Sequence, residues 1–246
     1  MNKNTPVLVV DAGNTFLKVA LFENGEITNV QRVKQTEKTE LIALYDAFGR
    51  PEVCLSSVLN KLETNELFSL FEHCFVVNQS SDLPITLDYR TKETLGIDRI
   101  CNAVASYSLR NSKTKASVSI DIGTCVKFDF VNESGSYLGG SISPGIQLRY
   151  QSMHDYTANL PLLSEKGNCQ LIGQSTYESM QSGVMNGMQS EIDHFIDRYR
   201  QENGDLTFFV TGGDAQFFDF GGKNDIFVNE NLTLIGLYQI FQFNAH

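Results

Sequence analysis

Two short segments of the chain combine an aspartate, a glycine, a hydroxyl and a lysine in nearly the same order. The first is "DAGNTFLK", residues 11–18, and the second is "DIGTCVK", residues 121–127. A glycine lets the backbone approach a phosphate closely, and the turn after it aims N–H groups and a hydroxyl at an anion. The aspartate repels phosphate, so its natural role is to hold a cation or its water. Two such turns indicate a clamp on a nucleotide.

A single turn of this kind is also compatible with an ordinary hairpin, because Asp and Gly are common in turns. The second copy favours the phosphate interpretation, since each copy begins one half of the chain. With one deletion after the glycine, Asp11 aligns with Asp121 and Lys18 with Lys127. We therefore predict an internal duplication.

Three further segments each have two interpretations. In "GIDR", residues 96–99, the aspartate can accept a hydroxyl proton and the arginine can bind a carboxylate or phosphate. On local grounds alone, the preferred interpretation is structural: the helix dipole favours the aspartate, and the arginine is solvated. "TGGD", residues 211–214, can hold an adenosine or its phosphates, or can be a turn that needs positive φ. "GGSISPG", residues 139–145, reads as a functional loop or a tight turn.

Composition excludes several classes of function. The net charge is −10 and no Lys/Arg cluster is present, so we expect no nucleic-acid binding. The five cysteines are widely spaced, the four histidines lack metal-ligand spacing, and the P-loop, G-x-G-x-x-G, H-E-x-x-H and G-x-S-x-G patterns are missing. The chain shows neither a signal-peptide pattern nor an apolar run long enough to span a bilayer. We expect a cytoplasmic protein with reduced thiols and no membrane contact.

The elements that must position these residues follow an α/β pattern. The apolar patterns predict strands at residues 7–10, 17–22, 27–33, 52–58, 75–79, 118–120, 125–131 and 206–211. They predict helices at residues 36–49, 65–74, 97–111, 173–200 and 232–243. Each half begins with an antiparallel hairpin. We place the domain boundary in the polar stretch 110–117, which gives domains 1–114 and 115–246.

The motifs in their order resemble those of type III pantothenate kinases, of the acetate and sugar kinase/Hsp70/actin superfamily. The similar segments cover nearly the whole chain: "DAGNTFLK", Tyr89 before "GIDR", "DIGT", "GGSISPG", "TANLP", "GQST" and "TGGD". The resemblance implies an α/β fold of two duplicated ribonuclease-H-like (actin-like ATPase) domains with a nucleotide cleft between them. It implies transfer of the γ-phosphate of ATP to the 4′-hydroxyl of pantothenate, the first step of coenzyme A biosynthesis, by a homodimer.

The resemblance also assigns roles to residues. It makes Asp98 the proton acceptor, which reverses the local preference. The pantothenate contacts would be Tyr89, Gly96, Ile97, Asp98, Arg99 and Thr176. The ATP and phosphate contacts would be Asp11, Gly13, Asn14, Thr15, Lys18 and Thr124, to which the "TGGD" turn adds Gly212 and Gly213. Asp121 would bind a monovalent cation, K⁺ or NH₄⁺, and Asp11 would hold Mg²⁺ through water.

The sequence departs from the family pattern at three positions. Cys125 and Lys127 stand where the family usually has alanine and threonine, and Phe16 replaces a small or basic residue. Lys127 brings a positive charge next to the expected cation site and so bears on the need for a monovalent cation. Two alternative functions are a kinase of another small hydroxyl compound and a non-catalytic regulatory (transcriptional accessory) homologue. The latter is expected to lose Asp98 or a phosphate-loop residue, and both are intact.

Overall fold

The computed structural model describes residues 5–13, 16–57, 61–111, 116–222 and 224–245. The predicted phosphate contacts Asn14 and Thr15 lie outside these ranges. The chain forms two compact units. The first contains Met1–Ala105 together with Asn231–His246, and the second is Ser106–Glu230.

Both strands and helices occur in each half of the chain. The strands are β1 (Val7–Ala12), β2 (Phe16–Glu23), β3 (Glu26–Lys34), β4 (Glu52–Ser57), β5 (Cys74–Val76), β6 (Thr86–Leu87), β7 (Ala116–Ile122), β8 (Cys125–Val131), β9 (Ser136–Pro144), β10 (Leu206–Thr211) and β11 (Ile226–Val228). The helices are α1 (Lys38–Ala47), α2 (Lys61–Phe68), α3 (Ile97–Leu109), α4 (Ile146–Asp155), α5 (Thr176–Asn203) and α6 (Leu232–Asn244). Short 3₁₀ turns lie at Lys92–Thr94 and Ala215–Phe217.

The first unit is built on a sheet with the strand order β3-β2-β1-β4-β5. Strands β1, β2 and β3 form an antiparallel meander, while β4 and β5 run parallel to β1. The β2–β3 hairpin turns at Asn24 and Gly25, whose φ values of 53° and 87° are those of a type I′ turn. The Asn-Gly signal in the sequence predicted this hairpin, and the structure confirms it.

Both faces of β1 are covered, which explains its unbroken apolar sequence. Leu8 and Val10 belong to a core cluster with Leu41 of α1 and Leu67 of α2. Helix α6 packs against β1, β2 and β4. A strand buried on both sides presents its carboxyl end, here Asp11, from a rigid support.

The second unit repeats this plan with the strand order β11-β10-β7-β8-β9. Strands β7, β8 and β9 are antiparallel neighbours, and β10 and β11 run parallel to β7. Ile120 of β7, Ile146 of α4 and Met188 of α5 share its core. The strand directions match those of the first unit one for one, as the predicted duplication requires.

Two predictions about elements were wrong, and the short strands β6 and β11 were not predicted. Residues 139–144 are not a loop but the second part of β9, paired with β8. Gly139 has a φ of 110° beside a register shift, and a Cβ on Gly140 would lie 1.6 Å from the carbonyl oxygen of Phe128. These glycines therefore serve a bulge and a close approach within a strand. Helix α2 begins and ends earlier than residues 65–74.

The compact units differ from the predicted domains in two places: the last turn of α3, from Ser106 onward, groups with the second unit, and α6 groups with the first. Helix α6 groups with the first unit, although it follows the second in the chain. Gly236 of α6 explains the close packing, because a Cβ there would lie 1.9 Å from the carbonyl oxygen of Cys101 on α3. The rings of Phe22 and Tyr238 also stack, with centroids 4.2 Å apart.

Candidate active site

The first phosphate turn begins at Asp11 near the end of β1. Asp11 lies between Lys18 on β2 and Ser56 on β4 in the strand register. The buried Ser56 hydroxyl donates a hydrogen bond to Asp11 Oδ1 at 2.7 Å. This bond fixes the orientation of the carboxylate. The sequence did not identify Ser56 because its role depends on the pairing of β1 with β4.

Gly13 closes the turn after Asp11. Its N–H donates to the carbonyl oxygen of Phe16 at 3.1 Å. A Cβ on Gly13 would lie 3.1 Å from the same oxygen, which is closer than most side chains tolerate. This close approach favours glycine at position 13.

The predicted proton acceptor, Asp98, lies in the first turn of α3. The carbonyl of Gly96 accepts the Ile100 N–H at 3.2 Å, so Gly96 precedes the helix as its cap. A Cβ on Gly96 would lie 2.5 Å from Asp98 Oδ1. The carboxylate thus lies directly over the glycine, and any larger residue at position 96 would displace it. This contact is the physical reason for the spacing in "GIDR".

Arg99 and Tyr89 lie together next to Asp98. The Arg99 side chain is buried, with 6% of its surface exposed, and its guanidinium carbon lies 6.0 Å from the centroid of the Tyr89 ring. A cation over an aromatic face is attractive at this distance. The structure therefore brings these two predicted substrate contacts together. The local reading of Arg99 as a solvated side chain is wrong.

The thiol of Cys101 on α3 is buried. Burial raises its pKa well above the ordinary value, and electrostatic repulsion from Asp11, Cys54 and Asp98 in their ionised forms raises the pKa further. The thiol therefore stays protonated near neutral pH.

In the second unit, Asp121 forms an ion pair with Lys127. The two residues are register partners on β7 and β8, and Lys127 Nζ lies 2.7 Å from Asp121 Oδ2. The side chains are 20% exposed for Lys127 and 16% for Asp121. The carboxylate of Asp121, which is predicted to bind a monovalent cation, is therefore already paired with the ammonium group of Lys127.

Thr124 ends the second phosphate turn and has an exposed side chain. Its carbonyl accepts the Gly145 N–H at 3.0 Å. A Cβ on Gly145 would lie 2.1 Å from the carbonyl oxygen of Gly123, so the turn rests directly against the start of α4. The glycine that ends "GGSISPG" is needed for this support.

The two glycines of "TGGD" have different surroundings. Gly212 has a φ of 98°, and a Cβ there would lie 2.2 Å from the carbonyl oxygen of Ile122. Nothing lies within 4 Å of a Cβ on Gly213. Asp214 donates its N–H to the Ile122 carbonyl at 2.9 Å and pairs with Lys166 at 2.5 Å. Gly212 thus fastens the turn to β7, whereas Gly213 leaves space for a ligand.

Thr176 is the first residue of α5 and is exposed. Ser175 caps the helix by accepting the Glu178 N–H at 3.2 Å, and Glu178 accepts the Gln174 N–H at 2.7 Å. A Cβ on Gly173 would lie 2.3 Å from the backbone nitrogen of Ser179. "GQST" therefore builds the start of a helix that presents Thr176 to solvent.

Among the described residues, no three His, Cys, Asp or Glu side chains are grouped so that they could hold a metal ion. No helix in the same ranges combines the length and apolar character needed to cross a membrane. A magnesium ion in a phosphoryl-transfer site keeps several waters and uses one or two carboxylates with substrate phosphates. The oriented carboxylate of Asp11 fits that requirement.

Solved structures share this architecture. A Campylobacter jejuni protein named as a Baf family transcriptional activator has a TM-score of 0.61 at 18% identity, over 97% of this chain and 98% of that one. Component A of the Acidaminococcus fermentans (R)-2-hydroxyglutaryl-CoA dehydratase has a TM-score of 0.53 at 13% identity, over 99% and 100%. The fold is the two-domain ribonuclease-H-like fold of actin-like ATPases.

Sequence comparison defines the family within this fold. The family model for type III pantothenate kinase matches residues 7–198. The type III pantothenate kinase of Flavobacterium psychrophilum is 37% identical over 96% of this chain and 99% of its own. That of Flavobacterium johnsoniae is 38% identical over 96% and 98%. The chain belongs to the type III pantothenate kinase family.

Proposed function

We propose that this protein transfers the γ-phosphate of ATP to the 4′-hydroxyl of pantothenate, the first step of coenzyme A biosynthesis. Membership of the family supports the reaction and the substrate. The carboxylate of Asp98, held over Gly96 at the start of α3, is the observation that carries the proposal.

Asp98 acts as the general base in this proposal. It accepts the proton of the 4′-hydroxyl as that oxygen bonds to the γ-phosphorus and the bond to the β-phosphate oxygen breaks, releasing ADP. A base placed in this way contributes about 10²–10⁴-fold to the rate. Most of the remaining catalysis of phosphoryl transfer comes from positioning and from neutralising the phosphate charge.

Pantothenate is held mainly by groups around Asp98. Arg99 provides a planar cation that suits the carboxylate of the substrate, and Tyr89 keeps the guanidinium in place. Gly96 and Ile97 line the approach to the base, and Thr176 adds a hydroxyl from the start of α5.

ATP is held by backbone turns rather than by a P-loop. We propose that Gly13, Asn14, Thr15 and Lys18 contact its phosphates from one turn and Thr124 from the other. Gly212 and Gly213 contact the rest of the nucleotide, and the open space beside Gly213 supports this role. Asp11 would hold Mg²⁺ through water, and the ion would supply positive charge that offsets the charge of the transferred phosphate.

We also propose that the functional domains are residues 1–114 and 115–246, and that the protein is a cytoplasmic homodimer. Exposed apolar side chains between α4 and α5 support self-association: Tyr156 is 89%, Leu171 77% and Ile172 78% exposed. A second copy covering them would remove this apolar surface from water. Sedimentation velocity tests the dimer, and a monomer at assay concentrations would contradict it.

A substrate screen tests the proposed reaction. Purified protein with ATP, Mg²⁺ and KCl is assayed for ADP release against pantothenate and other small alcohols, including sugars. We expect release only with pantothenate. Release with another alcohol alone would identify a different kinase, and no release with any of them would indicate a non-catalytic role.

A further inference from the structure

The ion pair of Lys127 with Asp121 disagrees with a free monovalent cation at that aspartate. Lys127 Nζ donates a hydrogen bond to Asp121 Oδ2 at 2.7 Å. An ammonium at hydrogen-bond distance also repels a second cation at the same carboxylate. The residues present therefore do not fit a bound K⁺ or NH₄⁺ on Asp121.

The position of this ion pair is fixed by the pairing of β7 with β8. Lys127 is the direct register partner of Asp121 across β7 and β8. Both side chains are largely covered, at 20% and 16% exposure, so solvent screens their attraction less than that of a surface pair. The flanking residues Ile120 and Val126 are buried, which fixes the register.

The duplication supports a functional role for this lysine. In the first unit the corresponding register pair is Asp11 with Lys18, also an aspartate on the first strand opposite a lysine on the second. Both lysines follow their phosphate turn on the strand that leaves it. The second copy thus places the same two residue types opposite each other beside a phosphate turn as the first copy does.

From this geometry we infer that Lys127 supplies, as part of the chain, the single positive charge that a monovalent cation would otherwise bring to the second phosphate turn. A protonated amine carries the same charge as K⁺ and in addition donates hydrogen bonds. The enzyme then needs Mg²⁺ but no K⁺ or NH₄⁺. This inference rests on the proposed kinase function, and Lys127 acts by orienting Asp121 and the turn.

The first test compares rates of pantothenate phosphorylation in KCl, NH₄Cl and choline chloride at equal ionic strength. We expect wild-type rates that agree within about twofold, because the internal ammonium replaces the ion. Turnover that requires K⁺ or NH₄⁺ would overturn the inference while leaving the kinase function intact. No turnover in any salt would instead contradict the proposed function.

The second test uses Lys127→Met, with Lys127→Arg to retain the charge. In choline chloride we expect kcat of Lys127→Met to fall about tenfold or more, because Asp121 is left without its partner. KCl restores part of that loss, and Lys127→Arg needs no KCl. A Lys127→Met rate equal to wild type in choline chloride would contradict the inference.

A binding measurement provides a readout independent of activity. We expect the melting temperature of ATP-free Lys127→Met to rise in KCl relative to choline chloride, while that of wild type is the same in both. Lys38→Met, which removes an exposed ion pair with Glu66, is the matched control and should behave like wild type. A K⁺-specific rise for the wild type would show that the ion binds despite Lys127. If Lys127→Met does not fold, the wild-type comparison decides.

Discussion

At the scale of single residues, the chemistry depends on close contacts that hold the carboxylates of Asp98 and Asp11 in place. The Asp98 carboxylate lies 2.5 Å from where a Cβ on Gly96 would be, and Asp11 accepts a hydrogen bond from Ser56. Such short contacts orient each acid before any substrate binds, which is the property that positioning catalysis requires.

Asp98→Asn tests the role of the base. The amide keeps the size of the side chain but cannot accept the hydroxyl proton, so we expect kcat to fall about 10²–10⁴-fold with a melting temperature close to wild type. Steady-state kinetics with pantothenate measures the change. The exposed Asp82, also in the first unit, provides the control: Asp82→Asn should retain full activity. Near-normal turnover of Asp98→Asn would show that another group takes the proton.

The sequence predicted which residues belong to the candidate site, but not all of the residues that contact them. The positions of Asp121 and Lys127 in matching segments were visible, yet their ion pair requires the β7–β8 register. Likewise, nothing near Ser56 in the sequence connects it to Asp11, since the two strands meet only in the folded sheet. Contacts between distant segments are what local patterns cannot supply.

At the scale of elements, glycines decide how closely helices and strands approach. The apolar period predicted α3 and α6, but not that they pack almost backbone to backbone at Gly236. In β9, glycine and proline suggested a loop because their local preference is for turns. Pairing with β8 overrides that preference. The three-residue β11 is too short to leave a periodic signal.

A pair of glycine substitutions tests this packing. Gly236→Ala would place a Cβ 1.9 Å from the Cys101 carbonyl, so we expect a loss of stability of about 1–3 kcal/mol or more. Gly183→Ala in α5 has nothing within 4 Å and should stabilise by about 0.5–1 kcal/mol through helix propensity. Urea unfolding measures both. A neutral Gly236→Ala would mean that α3 and α6 are not in this close contact.

At the scale of the whole molecule, one strand plan occurs twice. The sequence predicted the duplication because the two phosphate turns share residues, and matched strand directions confirm it. The grouping of α6 with the first unit was not predictable from its own sequence. The helix is apolar around much of its surface, so its own sequence does not indicate which surface it packs against. In the folded protein it covers β1, β2 and β4 of the first sheet.

Buried thiols of the first unit make stability depend on alkaline pH. Burial raises the pKa of Cys74 to about 12 and those of Cys54 and Cys101 well above their ordinary value of 9.0. Above pH 9 the unfolded chain loses these protons first, so the stabilisation present below pH 9 is lost as pH rises toward the folded pKa values. We expect a decrease of about 1.4 kcal/mol per thiol and pH unit.

Urea titrations between pH 8 and pH 10.5 check this slope. Cys101→Ala should make it shallower, since one thiol no longer titrates on unfolding. A free energy of unfolding that stays constant or rises over this interval would contradict the burial of these thiols.

The identity of the phosphorylated product tests the central claim most directly. Protein, ATP, Mg²⁺ and pantothenate are incubated, and the product is analysed by mass spectrometry and ³¹P NMR. We predict one 4′-phosphopantothenate for each ADP formed. ADP formed without 4′-phosphopantothenate, or phosphate at another position of pantothenate, would contradict it.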